Sequence, residues 1–368
     1  MVYPIVPLFL TATLGAPVVT VGVIEGIAES TASILKLFSG WFSDRVGKRV
    51  PFTLFGYTLA ALSKLGLAAA VAWPFVLVAR FVDRAGKGIR TAPRDALIAA
   101  STDEANRGRA FGLHRALDTL GAVAGPLIAI ALLHFVGASY RLIFLLAFIP
   151  GVAGALLVFT VKDVVMPKRQ GPPPLLLSLR GYDRRFLQFL AITLLFAVGN
   201  SSDAFLILRA RDLGLGTTAA IFAYVLYNVS YAGLSLPAGI RSDKVGRKRV
   251  LVAGFAIFAG VYAGFAFAGG SWAVWPLFVI YGAYIAFTDG VGKAYVSDLV
   301  PEERRATAIG LYNATSGVMI LFASLIGGAL WDLVGPAATF TLGASTAGAA
   351  ALALIVAPGL PVDTRRKD

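Results

Sequence analysis

Apolar runs separated by short polar or Gly/Pro breaks follow one another along almost the whole chain. They fall near residues 1–14, 17–43, 50–72, 74–99, 108–133, 140–161, 186–208, 217–240, 250–268, 275–297, 306–330 and 336–357. Most reach the roughly 20 residues that a helix needs to cross hydrocarbon. A chain in lipid must satisfy its backbone hydrogen bonds within each segment, so runs of this length are helices. The chain has 33 Lys+Arg and 20 Asp+Glu among 368 residues, with 57% hydrophobic residues. A soluble chain of this length would carry roughly 90 charges, so an ordinary soluble enzyme and a disordered chain are both excluded. The expectation is an all-α polytopic membrane protein with twelve transmembrane segments. There is no Cys, and His114 and His134 are the only histidines. Disulfides, thiolate chemistry and a histidine-built metal site are therefore set aside. No nucleotide-binding loop or nucleophile constellation is present, so neither an enzyme nor a cofactor is expected.

The net charge of +13 would suit a nucleic-acid partner if it formed one patch. Instead Lys and Arg gather in the breaks after segments 2, 4, 6, 8 and 10 and in Arg365-Arg366-Lys367, while Arg209 and Arg211 lie in a break on the other side. That bias marks the cytoplasmic face, C-terminus included, and explains the charge without nucleic acid. The longest break, with its Pro172-Pro173-Pro174 run, divides the segments six and six. The expected domains are an N-terminal six-helix bundle at 1–161, a cytoplasmic linker at 162–185, a C-terminal six-helix bundle at 186–357 and a cytoplasmic tail at 358–368.

The two halves repeat. Gly40-x-x-x-Asp44-Arg45-x-Gly47-Lys48-Arg49 recurs as Gly239-x-x-x-Asp243-Lys244-x-Gly246-Arg247-Lys248 at an offset of 199, which also relates Gly15 to Gly214. Asp83-x-x-Gly86-Lys87 recurs as Asp289-x-x-Gly292-Lys293. Segment 7 begins about 28 residues before Gly214, whereas 14 residues precede Gly15; the first helix is therefore expected to be truncated.

The paired G-x-x-x-D-[RK]-x-G-[RK]-[RK] loops resemble the signature loop of the major facilitator superfamily of secondary transporters. The resemblance covers the chain apart from its start. It implies two pseudo-symmetric six-helix bundles, with Gly40, Asp44, Arg45, Gly47, Arg49, Gly239, Asp243, Lys244 and Gly246 as conformational latches. Segment 5 carries Gly112-x8-Gly121-x3-Gly125-Pro126, similar to the superfamily's antiporter motif, although Ala129 and Ile130 stand where the full motif has glycines. Small residues at this spacing also suit plain helix packing.

Charges within the membrane are costly and mark functional sites. On segment 2, Glu25, Glu29 and Lys36 share one helical face. Glu29 is read either as the ion-pair partner of Lys64 on segment 3 or as a proton carrier, since burial favours the protonated form of a carboxyl. Glu25 is assigned to proton work, with Asp83 and Asp118 as further candidates. Segment 4 carries a basic stripe, Arg80, Arg84, Lys87, Arg90 and Arg94. The resemblance places segments 1, 4, 7 and 10 around a central cavity, so Arg80, Arg84 and Lys87 are candidate substrate ligands, and Arg80-x-x-Asp83 is similar to a proton-coupling motif. On the same basis Asp203 and Asp289 are polar groups of cavity helices. Tyr224, Tyr227 and Tyr231 share a face, as do Tyr281 and Tyr284. Such stripes suit helix packing as well as a binding wall; Tyr224, Tyr227 and Tyr284 are kept as candidate ligands.

The resulting expectation is a secondary transporter in a prokaryotic inner membrane, acting as a monomer on a small organic solute by alternating access and coupled to protons for export. The alternatives are transport of an anion drawn by the segment 4 stripe, and a non-transporting receptor or scaffold on the same fold.

Overall fold

A computed structural model describes residues 1–101, 107–163, 181–301, 304–357 and 359–360. Most of the expected linker and tail, and the side chains of Asp44 and Arg115, lie outside the described residues. The regular elements are α1 (Val6–Leu8, continued by a π turn at Phe9–Thr13), α2 (Val18–Val46), α3 (Val50–Ala69), α4 (Trp73–Ala100), α5 (Arg107–Phe135), α6 (Tyr140–Val158), α7 (Arg184–Gly199), α8 (Ala204–Asp212), α9 (Thr217–Val245), α10 (Arg247–Phe267), α11 (Val274–Leu299), α12 (Arg305–Leu333) and α13 (Pro336–Val356). Segments 2 to 6 are α2 to α6, segment 7 is α7 and α8 together, and segments 8 to 12 are α9 to α13. Ten of these stretches are long and apolar enough to cross a membrane. Helix α4, with 28 residues, has the length but carries the basic stripe.

The repeat is written in helix boundaries as well as motifs. Val18–Val46 and Thr217–Val245 are both 29 residues long and both ends are related by the offset of 199. Arg107–Phe135 and Arg305–Leu333 are likewise 29 residues each. Gly47 and Gly246, each following one of the first pair, have φ of +72° and +94°. That left-handed backbone is open to glycine and strained for other residues, which is why the signature loop carries glycine there. Segment 1 is α1 and its π turn, which end at Thr13.

The contacts divide into two units, Met1–Ala16 with Ile27–Leu175 and Pro17–Gly26 with Leu176–Asp368. In the first unit α3 and α4 pack through Gly56 and Gly86. A Cβ on Gly86 would stand 2.5 Å from the Gly56 carbonyl oxygen and 3.0 Å from the Ala60 nitrogen. In the second unit a Cβ on Gly282 of α11 would likewise stand 2.5 Å from the Tyr227 carbonyl oxygen of α9. Lipid offers no hydrophobic drive for helices to associate, so close backbone approach through small residues supplies the packing. The start of α2 groups with the second unit: a Cβ on Gly26 would lie 3.1 Å from Leu321 Cα of α12. The Asp332 carboxylate accepts the Val19 N–H at 2.8 Å, capping α2.

Gly86→Val should therefore lower stability by about 1–3 kcal/mol, the usual cost of overpacking. Gly233→Ala, where a Cβ meets nothing within 4 Å, should leave the unfolding midpoint of the detergent-solubilised protein unchanged or higher. Equal midpoints for both variants would contradict this packing.

Candidate functional site

In the first unit the intramembrane charges of α2, α3 and α4 form one network. Asp83 is the hub: Lys64 of α3 pairs with its Oδ1, and Arg80 donates to its Oδ2 at 3.3 Å. The Ser63 hydroxyl adds a bond to Oδ1 at 3.3 Å. Arg80 is almost wholly enclosed, at 1% exposure. A guanidinium buried to that degree persists only beside a counter-charge. One turn further along α4, Arg84 reaches Glu29 of α2 at 3.1 Å. The Arg80 and Arg84 guanidiniums also lie 5.7 and 5.6 Å from the centre of the Tyr3 ring, within cation–π range. The pairing of Glu29 with Lys64 expected from depth along the helices is corrected here. Close packing through Gly56 and Gly86 carries Lys64 to Asp83, and Glu29 goes to Arg84.

The second unit has a different centre. Segment 7 stops being helical after Gly199 and resumes at Ala204, leaving Asn200-Ser201-Ser202-Asp203 unwound. Gly followed by Asn, Ser and Asp is a stop-and-restart signal, and Asp203 occupies the N-cap position of α8. Its carboxylate accepts the Tyr281 hydroxyl at 2.7 Å and the Tyr227 hydroxyl at 3.2 Å. The Ser202 N–H, exposed by the break, donates to the Ser324 hydroxyl at 3.1 Å. The Tyr227 and Tyr281 rings stand 5.3 Å apart, and Tyr224 meets Tyr227 edge to face at 5.3 Å. Tyr284 lies 4.7 Å from Phe258 within the same aromatic cluster. Nearby, the buried hydroxyls of Ser201 and Tyr262 have no well-formed hydrogen bond. Asp289 forms a second polar pair on α11, taking Lys293 at 2.5 Å and the Tyr231 hydroxyl at 3.1 Å.

The full span of the chain matches the model of the Major Facilitator Superfamily, over residues 1–208 and 186–368. The chain belongs to that superfamily. An uncharacterized MFS-type transporter of Methanocaldococcus jannaschii is 36% identical over 93% of this chain and 87% of its own length. Sugar efflux transporter A of Dickeya chrysanthemi is 27% identical over 88% of this chain and 83% of its own. Among solved structures, the nucleoside transporter NupG superposes with a TM-score of 0.77 at 15% identity, covering 96% of this chain and 93% of that one; this likeness concerns the fold alone. Superfamily membership makes the chain a multi-pass membrane transporter with relatives in prokaryotes.

The remaining residues singled out from the sequence are spread more widely. Glu25 is buried at 1% exposure and falls in the part of α2 that groups with the second unit, whereas Glu29 belongs to the first. Asp118 and Gly121 are exposed on α5, Gly125 packs against Met1, and Pro126 is buried in the same helix; the backbone of Gly112 is helical. Gly40 and Gly239 sit within α2 and α9, and Arg45 and Lys244 lie in their last turns. Arg49 donates to the Ala96 carbonyl at 3.2 Å. In the second unit Arg247 donates to the Ala294 carbonyl at 2.8 Å, contacts Asp298, and lies 3.6 Å from Asp243. Sequence reasoning missed Ser63, Ser201 and Tyr262, since a lone hydroxyl in an apolar helix carries no signal. It also missed Asp163, whose carboxylate accepts the Arg49 N–H at 3.0 Å and so caps α3.

Asp83→Asn would leave Lys64 and Arg80 without their shared carboxylate. Its expected cost is about 3–5 kcal/mol, as for other broken buried pairs, read from thermal unfolding in detergent. Lys64→Met, which leaves Arg80 on Asp83, should cost distinctly less; the reverse order would show that Asp83 is not the hub.

Proposed function

We propose that this transporter is a proton-coupled secondary carrier that exports a small organic solute by alternating access from a prokaryotic inner membrane, with its C-terminus in the cytoplasm. The observation that carries the reading is the interruption of segment 7 at Asn200–Asp203. Breaking a membrane-crossing helix frees backbone groups that lipid cannot satisfy, so such breaks are kept where they serve a binding site. The Asp203 carboxylate, the Tyr227 and Tyr281 hydroxyls and the unwound backbone are the polar groups of that site in the second unit, with Tyr224 and Tyr284 on its aromatic side. Carboxylates within the membrane-spanning helices support proton coupling. Glu29 and Asp83 are each held against cations, and Glu25, buried on the same helix as Glu29, is the residue to which proton uptake and release is assigned.

Export is supported by the Gly121, Gly125 and Pro126 pattern on α5 and by the relative named as a sugar efflux transporter. The signature loops are assigned as latches. Arg247, tied to Asp243, Asp298 and the Ala294 carbonyl, supports this for the second unit.

Everted membrane vesicles test the coupling. Glu25→Gln should abolish accumulation driven by a pH gradient while leaving solute exchange intact, because exchange returns the carrier without proton release. Wild-type gradient dependence in Glu25→Gln would remove the assignment. For the latches, Asp243→Asn should leave solute affinity within about twofold, a few tenths of a kcal/mol. It should also shift the labelling of single cysteines placed at the two ends of the helices, and unchanged labelling would sink the latch.

A further inference from the structure

We infer that the transported solute carries an anionic group, and that Lys87 is the side chain that receives it; the inference rests on the transporter reading above. The repeat supplies an internal comparison. Asp83-x-x-Gly86-Lys87 on α4 and Asp289-x-x-Gly292-Lys293 on α11 are the same motif. In the second unit the lysine pairs within the motif, Lys293 with Asp289 at 2.5 Å. In the first unit the aspartate is taken by Lys64 and Arg80, and Arg84 is taken by Glu29. Among the described residues Lys87 has no carboxylate within ion-pair distance, and its side chain is exposed.

Its position gives that exposure meaning. Lys87 lies midway along the 28 residues of α4, about 21 Å from the start of the helix at 1.5 Å per residue. An ammonium exposed to hydrocarbon at that depth is too costly to keep, so the face that carries it meets water. The helical period agrees. Val78, nine residues earlier and 62% exposed, projects from the opposite side of α4 at 100° per residue. Near the middle of α4 the exposed apolar residues Val78 and Phe81 thus lie about 180° and about 120° round the helix from Lys87.

The glycines on either side fix the helix. A Cβ on Gly86 would meet α3 backbone at 2.5 Å, and one on Gly88 would meet Leu35 Cβ of α2 at 2.7 Å. Arg84 and Arg90, one turn before and after, share the Lys87 face, and Arg90 is held over the Tyr57 ring at 4.2 Å. Glu29 and Asp83 are two carboxylates set among Lys64, Arg80, Arg84 and Lys87, and both act on Lys87 as well; the net positive charge that remains around Lys87 gives a potential that selects a carboxylate, sulfonate or phosphate on the solute. Arg80 and Arg84, first read as ligands, become the fixed background of that potential.

The test uses the full chain, purified and reconstituted, with four ring compounds of matched size: benzoate, phenyl phosphate, neutral benzamide and cationic benzylamine. At millimolar concentration benzoate or phenyl phosphate should raise the unfolding midpoint of the wild type, and benzamide and benzylamine should not. In Lys87→Gln the apparent affinity for the anion should fall at least about tenfold, the loss of one charge-assisted hydrogen bond, and Lys87→Arg should restore much of it. An equal response to all four compounds, a preference for benzylamine, silence from both anions, or an anion response unchanged in Lys87→Gln would each overturn the inference. Because the chain has no native cysteine, Lys87→Cys gives a separate check. It should react with a charged, membrane-impermeant thiosulfonate, and a failure to react would also overturn the inference. Flux into proteoliposomes separates the two readings. Benzamide or benzylamine flux without any anion effect would sink the anion assignment alone. Lys87-dependent anion binding with no flux of any of the four compounds would sink transport alone.

Discussion

A carboxylate within ion-pair reach of three cations holds the polar interior of the first unit together. Asp83 takes Lys64 from α3 and Arg80 from its own helix, and without it both would be charges in a medium that cannot solvate them. The geometry depends on backbone contact as much as on charge. Gly56 and Gly86 let α3 and α4 approach until Lys64 can reach across. Packing and electrostatics are one constraint here: a larger residue at Gly86 would push the helices apart and lengthen the ion pair. That arrangement is why α4 can carry so many basic residues and still cross a membrane.

The two units descend from one pattern and spend it differently. Helix lengths, the offset of 199 and the left-handed glycines after α2 and α9 repeat almost exactly between them. The polar centres do not. The first unit pairs charges with opposite charges and leaves the Lys87 side chain exposed. The second builds its centre at a broken helix, where Asp203 is held by tyrosine hydroxyls and the motif lysine is paired with its own aspartate. Duplicated backbones hold the helices in matching positions, and divergence in a few side chains gives each half its own chemistry.

Much of this was legible in the sequence because membrane helices obey local rules. Apolar length set the spans and the paired signature loops set the duplication, whereas segment 7 reads straight through and its break at Asn200–Asp203 came only from the structure. Glu29, Arg84, Asp83 and Lys64 stood out in the sequence because a charge in an apolar segment is costly. Their partners were not recognisable. Depth along the helices suggested Glu29 with Lys64, and the actual pairs depend on which faces of α2, α3 and α4 meet. Tyr262 and Ser201 gave no sign at all, since one hydroxyl costs little in an apolar helix until its neighbours are known.

The sequence by itself thus determined the twelve-segment plan, the duplication and the family, because each is encoded in composition and spacing along one chain. The tertiary structure decided which charges neutralise one another and which is left over. An ion pair is a matter of a few ångströms between side chains far apart in sequence, and only the packing of one helix face on another sets that distance. Lys87 and Lys293 occupy the same place in the same motif. One is paired and the other exposed because Lys64, on the neighbouring α3, reaches Asp83 in the first unit, whereas in the second Asp289 binds the lysine of its own motif.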